Sequence, residues 1–224
     1  MSEPDANQPD SQLDPAEKRW PAVIAILAVG GLYTALPRSL VVGPGWLQLA
    51  IITVLLVPTI IAHHRGRHFI NQLFGHLLAA VMTLFMLWSL VLLLRALPTH
   101  AESPILLLRS AVALWVTNIL VFALWYWRLD AGGPHRRDQR KGHPDGSFLF
   151  AQMTLQQDPG QKTGDRDWSP EFIDYLFLAF NTSTAFSPTD APVLSRWAKV
   201  LTMLQSSISL ATVVVLAARA VNIL

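Results

Sequence analysis

The feature that most limits what this chain can fold into is the length of its apolar runs. Trp46 to Ala62, Phe69 to Leu97 and Pro104 to Trp127 are each long enough to cross a hydrocarbon core of about 30 Å as a helix. Inside a bilayer every backbone N–H and C=O must be satisfied within the protein, and blocks of this length satisfy them as helices. Two more blocks, Trp20 to Leu36 and Leu194 to Leu224, bring the expected crossings to five. The first of these is short and contains Gly30-Gly31. Pro58 is expected to kink the second block, while Ser103-Pro104 supplies a cap and a first-turn proline to the fourth. Trp20, Trp46, Trp125, Trp127 and Trp197 stand near block ends, where an amphipathic ring prefers the headgroup level.

Composition narrows the function classes. Hydrophobic residues make up 52% of the 224 and charged residues 14%, against about a quarter charged in soluble domains. The absence of cysteine excludes disulfides, thiolate nucleophiles and Cys-based metal sites. The net charge is only +2, and the basic residues lie between apolar blocks rather than on one face, so nucleic acid is not an expected partner. No Gly-rich phosphate loop, catalytic triad or HExxH motif appears; neither an enzyme nor a cofactor is expected. His63, His64 and His68 resemble one histidine box of a membrane di-iron enzyme, but a metal site needs more ligands than this stretch supplies. They read instead as a basic turn meeting headgroups, and no metal site is expected. Asn71, His76 and Asn118 are polar residues inside or near spans, for which interhelical hydrogen bonding is the expected role.

The chain divides into four parts. Residues 1–19, acidic and rich in Pro, Asp and Gln, are expected to form a disordered tail; they lack the basic-then-apolar order of a secretory signal, so the first block is expected to be an uncleaved helix. Residues 20–127 form a four-helix transmembrane region and 128–168 a linker. Residues 169–224 form a last module. Within the linker a short strand is expected in FLFAQMTL, and HRRDQRKGH reads either as topology-setting charge or as a surface for anionic headgroups. With five crossings, all of the 17 Lys and Arg except Arg38, Arg95, Arg109 and Arg219 fall on the N-terminal side. Basic residues favour the cytoplasm. The expected location is the plasma (inner) membrane, with the N-terminus and linker cytoplasmic and the C-terminus outside.

The last module begins a helix and abandons it. Ser169-Pro170-Glu171 is a helix-start pattern, and FIDYLFLAF follows, too short to cross. Asn181 to Thr184 favour leaving the helix and Pro188 forbids its regular continuation. Interrupted backbone at membrane depth must be buried in protein or line a wet cavity, so a half-helix that dips in and returns is expected. The alternative is an interfacial helix with a surface loop, which costs less but needs one strongly polar face. The last span carries Thr202, Gln205, Ser206, Ser209 and Thr212 on one side, a stripe that either lines a pore or packs against another helix.

This order of short helix, TxTxF-type loop, Asp and long helix resembles the pore module of tetrameric potassium-type cation channels, over Trp168 to Leu224. The whole chain resembles a group of small, uncharacterised bacterial membrane proteins with ion-channel-like endings. The resemblance implies an all-α polytopic membrane protein with five transmembrane helices and a re-entrant pore-type half-helix before the last. It implies a filter region at Thr182, Ser183, Thr184, Ala185, Phe186, Ser187, Pro188, Thr189 and Asp190. It also implies monovalent cations as partners and a homo-oligomer, a tetramer if a channel, since one loop per chain cannot enclose a path. Two departures are visible. NTSTAFSPTD has no glycine where a potassium filter needs a permissive backbone. The charge count also makes the loop enter from the cytoplasm, as in the inverted pore loop of glutamate-receptor channels. A non-conducting membrane scaffold with the same shape, or a small transporter, is the alternative.

Overall fold

The computed structural model describes residues 17–97, 103–139, 143, 145–155, 168–187 and 191–221. Its helices are α1 (Trp20–Thr34), α2 (Gly45–His64), α3 (His68–Ala96), α4 (Pro104–Leu129), the short α5 (Pro134–Asp138) and α6 (Ala151–Leu155), α7 (Phe172–Thr184) and α8 (Arg196–Val221). Among the described residues, α2, α3, α8 and α4 extended to Gly132 are long and apolar enough to cross a membrane. The first block, expected to be a fifth span, forms α1 of 15 residues, shorter than that standard. The described residues are therefore all-helical with four helices of spanning length, the architecture of a multi-pass membrane protein.

The helix ends follow local chemistry. Ser103 accepts a hydrogen bond from the Leu106 N–H and Pro104 occupies the first turn of α4, so one orphan donor is satisfied and another is absent. Pro58 lies inside α2, which continues through it to His64. In place of the strand expected in FLFAQMTL, Phe148 makes an isolated antiparallel bridge with Val193, and residues 151–155 turn as α6. Among the described residues only two backbone bonds tie the segments, Leu149 N–H to the Pro192 carbonyl and Leu194 N–H to the Ser147 carbonyl, too few to extend a ladder.

Helix α4 is the centre of the bundle, packed against α1, α3, α7 and α8, while α2 joins α1 to α3. Tyr33, Ile52, Met82, Met86, Leu93 and Phe122 fill the interior. Val54, Leu84, Trp88, Met203 and Val214 stand exposed on the outside. A water-facing bundle would carry charge at such positions; continuous apolar exterior of this kind suits hydrocarbon. The region after α4 is packed rather than loose: Phe148 is fully buried and meets the rings of Tyr126, Tyr175 and Trp197, so it wedges together α4, α7 and α8. Each such aromatic pair contributes about 0.5–1.5 kcal/mol beyond its burial.

Candidate functional site

Helix α7 starts two residues later than the Ser169-Pro170 pattern suggests. Its cap is Glu171, whose carboxylate accepts from the Asp174 N–H while the Asp174 carboxylate accepts from the Glu171 N–H at 2.8 Å. This reciprocal pair satisfies two donors at once, which a single Ser hydroxyl cannot do. The helix also ends later than expected, at Thr184 instead of Phe180. Thr182 Oγ1 donates to the Leu178 carbonyl at 2.8 Å and Thr184 Oγ1 to the Phe180 carbonyl at 3.0 Å. Bonds of this kind let Thr hydroxyls persist in a helix without water. The end is made by Phe186, at φ 56°, in the left-handed region usual after a helix but disfavoured for a bulky residue.

Two polar clusters hold α7, one at each of its ends. At the start lies Asp130, completely buried just after α4. Its Oδ1 accepts from the Ser147 N–H at 2.5 Å, and its Oδ2 meets His143 Nε2 at 2.8 Å and accepts from the Tyr175 hydroxyl at 2.7 Å. The chain reaches this arrangement through a sharp reversal in which Gly132 and Gly133 have φ of 79° and 93°. A β-carbon on Gly133 would also stand 2.9 Å from the Arg128 carbonyl oxygen. Arg137 crosses above, donating to the Trp127 and Asp130 carbonyls at 2.8 and 3.0 Å, its guanidinium 5.0 Å from the Tyr175 ring centre.

Glu17 completes this end. It accepts from Trp127 Nε1 at 2.6 Å, the Phe172 N–H at 2.9 Å, Arg19 at 2.6 Å and Arg137 at 3.2 Å. Burial pushes its carboxyl above the ordinary glutamate range, with Arg137 and then Arg19 pulling it back. Arg19 also pairs with Asp138. Of the segment expected as a free tail, residues 17–19 are thus pinned to α4, α5 and α7; residues 1–16 lie outside the described residues.

The second cluster surrounds the far end of α7. Gln205 donates to the Ala179 carbonyl at 2.7 Å and to Ser183 Oγ at 2.9 Å, and accepts from the Tyr126 hydroxyl at 2.5 Å. Asn118, near the middle of α4, donates to Ser183 Oγ at 3.4 Å and to the Gln205 carbonyl at 3.3 Å. Ser209 donates to the Ser183 carbonyl at 2.6 Å and Ser206 to the Thr182 carbonyl at 3.5 Å. The hydroxyls of α8 thereby cover the last carbonyls of α7, which have no partners within their own helix.

These contacts locate the residues singled out in the sequence. Thr202, Gln205, Ser209 and Thr212 are buried and Ser206 is half-buried; Gln205, Ser206 and Ser209 bond to α7. Within one chain the stripe packs against a neighbouring helix. Thr182 and Ser183 are buried inside helix α7, whereas Thr184, Ala185, Phe186 and Ser187 are exposed. Pro188, Thr189 and Asp190 lie outside the described residues. The start of α7 and residues 192–194 both return to the Asp130–Ser147 end of the bundle, while Ser183 stands at the middle of α4. Asn71 bonds across to the Thr59 carbonyl of α2, and His76 bonds within its own helix to the Gln72 carbonyl.

Sequence reasoning missed Asp130, His143, Tyr175 and Glu17. Asp130 sits among the charges of a segment that reads as a linker, and its partners are remote in sequence. A buried-aromatic signal, the FLF run at 148–150, was the one available hint that this segment docks. Among the described residues no three His, Asp or Glu side chains gather to hold a metal. No protein-family model matches the chain, and none of the curated proteins or solved structures compared with it does so either.

Proposed function

We propose that this is a five-span inner-membrane protein in which α1 is the shortest crossing and α7 with its following loop forms a re-entrant element. The element enters from the cytoplasmic side, turns near mid-bilayer and returns to the side from which it came. Three sets of contacts support this reading: Tyr175 to Asp130 at the start of α7, Ser183 to Asn118 and Gln205 near its end, and Leu194 to Ser147 after the loop. The N-terminus is cytoplasmic and the C-terminus outside, following the distribution of Lys and Arg.

The observation that carries the functional reading is the exposed tip of this element. Thr184 to Ser187 are uncovered, non-helical after Thr184, and level with the middle of α4. Such backbone is tolerated at that depth only against protein or water. Further copies of the chain cover it, so the protein works as a homo-oligomer, a tetramer in the channel-like form, with the loop tips facing a shared axis. Thr184, Ser187, Thr189 and Asp190 then offer oxygens to a monovalent cation, and the path is channel-like without a potassium-type filter. Ser183 and Thr182, committed to packing, support the loop instead of touching the ion.

A second reading has its own support. The α8 stripe and two of the filter-region hydroxyls are used up inside one chain, which suits a non-conducting scaffold. Cation flux from liposomes carrying purified protein separates the two. The channel-like reading expects flux that falls severalfold with Thr184→Ala and with Asp190→Ala. Flux absent in a protein whose mass in lipid nanodiscs is that of a monomer or dimer supports the scaffold, and flux indifferent to both changes removes the channel-like reading.

A further inference from the structure

Arg128 lies one residue before the end of α4, on the side that the proposed topology makes cytoplasmic, and is 8% exposed. Its guanidinium lies on the α-carbon of Gly75 in α3: a β-carbon there would be 1.8 Å from Nη1 and 2.0 Å from Cζ. Any larger residue at that position would force the head group to move. Yet among the described residues no hydrogen-bond acceptor or carboxylate meets this guanidinium; the adjacent Trp127 ring, 5.4 Å away, is its compensation. Leaving a cation out of water without an anion costs several kcal/mol, and its neighbours Arg19 and Arg137 show that the chain supplies partners elsewhere.

The head group lines two adjoining cavities that share Arg128, His63, Asn71, Pro134 and His135. The larger has a volume of about 410 Å³, within the range of about 300–1,000 Å³ of small-molecule sites. Its polar end also holds Arg19 and His64, and Gln72 and His76 stand on the wall of the smaller one. His76 Nε2 is buried there without a partner. Glu17 lines the larger cavity too, but its oxygens are taken by Arg19, Arg137, Trp127 and the Phe172 N–H. The other walls are apolar: Trp20, Val23, Ile26, Leu56 and Ile60 of α1 and α2. Trp20 and Ile60 are exposed on the outer surface, so the cavity is open laterally toward hydrocarbon.

We propose that this cavity is a binding site for one anionic phospholipid of the cytoplasmic leaflet. Its phosphate sits against the Arg128 guanidinium and the His63–His135 wall, and an acyl chain runs between α1 and α2. A basic recess between spanning helices on the cytoplasmic side is the geometry in which such head groups are held, and a planar guanidinium is matched to phosphate oxygens. The apolar half distinguishes this ligand from a free phosphate or a soluble phosphate ester, which would leave Ile26 and Leu56 uncovered. The proposal is independent of whether the protein conducts ions.

Native mass spectrometry of the full chain in an uncharged detergent tests it, with titration by dioleoyl phosphatidylglycerol, dioleoyl phosphatidylcholine or glycerol 3-phosphate. Phosphatidylglycerol should be retained at concentrations about tenfold or more below phosphatidylcholine, and glycerol 3-phosphate should neither bind nor compete. Arg128→Gln should weaken phosphatidylglycerol about tenfold or more, the loss of one charge-assisted contact to phosphate. Ile60→Trp, which keeps every charge and fills the apolar half, should weaken both lipids. Arg38→Gln, at an exposed turn elsewhere, should change nothing. If Arg128→Gln fails to fold, Ile60→Trp decides alone. Unaltered phosphatidylglycerol binding in the folded variants overturns the site. Binding of glycerol 3-phosphate as tight as that of the lipid overturns the lipid assignment.

Discussion

Asp130 and Arg128 are two residues apart at the end of the same helix, both buried, both ionisable, and they have opposite surroundings. Asp130 is met by an imidazole and a backbone N–H from the stretch before α6 and by a phenol from α7. Arg128 has a cavity beside it, an aromatic ring beneath it and, among the described residues, no anion. The difference separates two uses of a buried charge. Where the chain brings its own partners, the charge fixes architecture: Asp130 ties the start of α7 and the Ser147 segment, to which Leu194 is bonded, to one point. Where the chain withholds partners yet clears space, as it does with Gly75, the charge is offered to something else.

The largest effect that could break this contrast is at Asp130. Asp130→Ala leaves His143, the Ser147 N–H and the Tyr175 hydroxyl unpaired in the interior. Thermal unfolding in detergent should show a loss of about 3–5 kcal/mol, the usual result of removing one member of a buried pair. A loss below about 1 kcal/mol would mean that water reaches this cluster and that Asp130 pins nothing.

Gln205 offers a second satisfied group, at mid-depth. Gln205→Leu removes its bonds to Ala179, Ser183 and Tyr126, for an expected cost of about 1.5–3 kcal/mol. Faster proteolysis near Thr184 than near Asp130 should accompany it, because α7 would loosen only at its far end.

Arg128 should behave in the opposite sense. Arg128→Met in lipid-free detergent removes a buried charge compensated only by an aromatic ring among the described residues, and should leave stability unchanged or raise it by about 1 kcal/mol. Added anionic phospholipid should stabilise the wild type and not the variant. A destabilisation as large as that at Asp130 would show that Arg128 has an internal partner and would erase the contrast.

The smallest effect lies at the turn. Phe186→Gly relieves a left-handed bulky residue and should stabilise by about 0.5–1 kcal/mol, after allowance for the freer unfolded chain. Destabilisation would indicate that the exposed ring is held in a contact between copies.

What was legible in the sequence follows the range of the interactions. The apolar blocks gave α2, α3 and α4 to within two residues at each end, and the Ser103-Pro104 start of α4 was correct, because hydropathy and capping are local. The boundaries of α7 were displaced because its cap is a reciprocal Glu171–Asp174 pair and because Thr182 and Thr184 bond back along the helix. The α8 stripe was visible as a stripe; that it packs on α7 depends on Ala179 and Ser183 arriving opposite it. Asp130, Glu17 and Arg128 were illegible as a group. Their meaning lies in contacts such as Glu17 to Phe172 and Arg128 to Gly75, which join segments with no shared pattern.

The account rests most heavily on the path of α7, and the absence of native cysteine makes that path open to direct measurement. Single cysteines at Glu171 and Leu194, both exposed, can be challenged in sealed inverted and right-side-out vesicles with a membrane-impermeant thiol reagent. The account predicts that Glu171→Cys and Leu194→Cys are labelled from the same, cytoplasmic face. Labelling of the two from opposite faces would make α7 part of a complete crossing and would contradict the re-entrant element together with the function built on it.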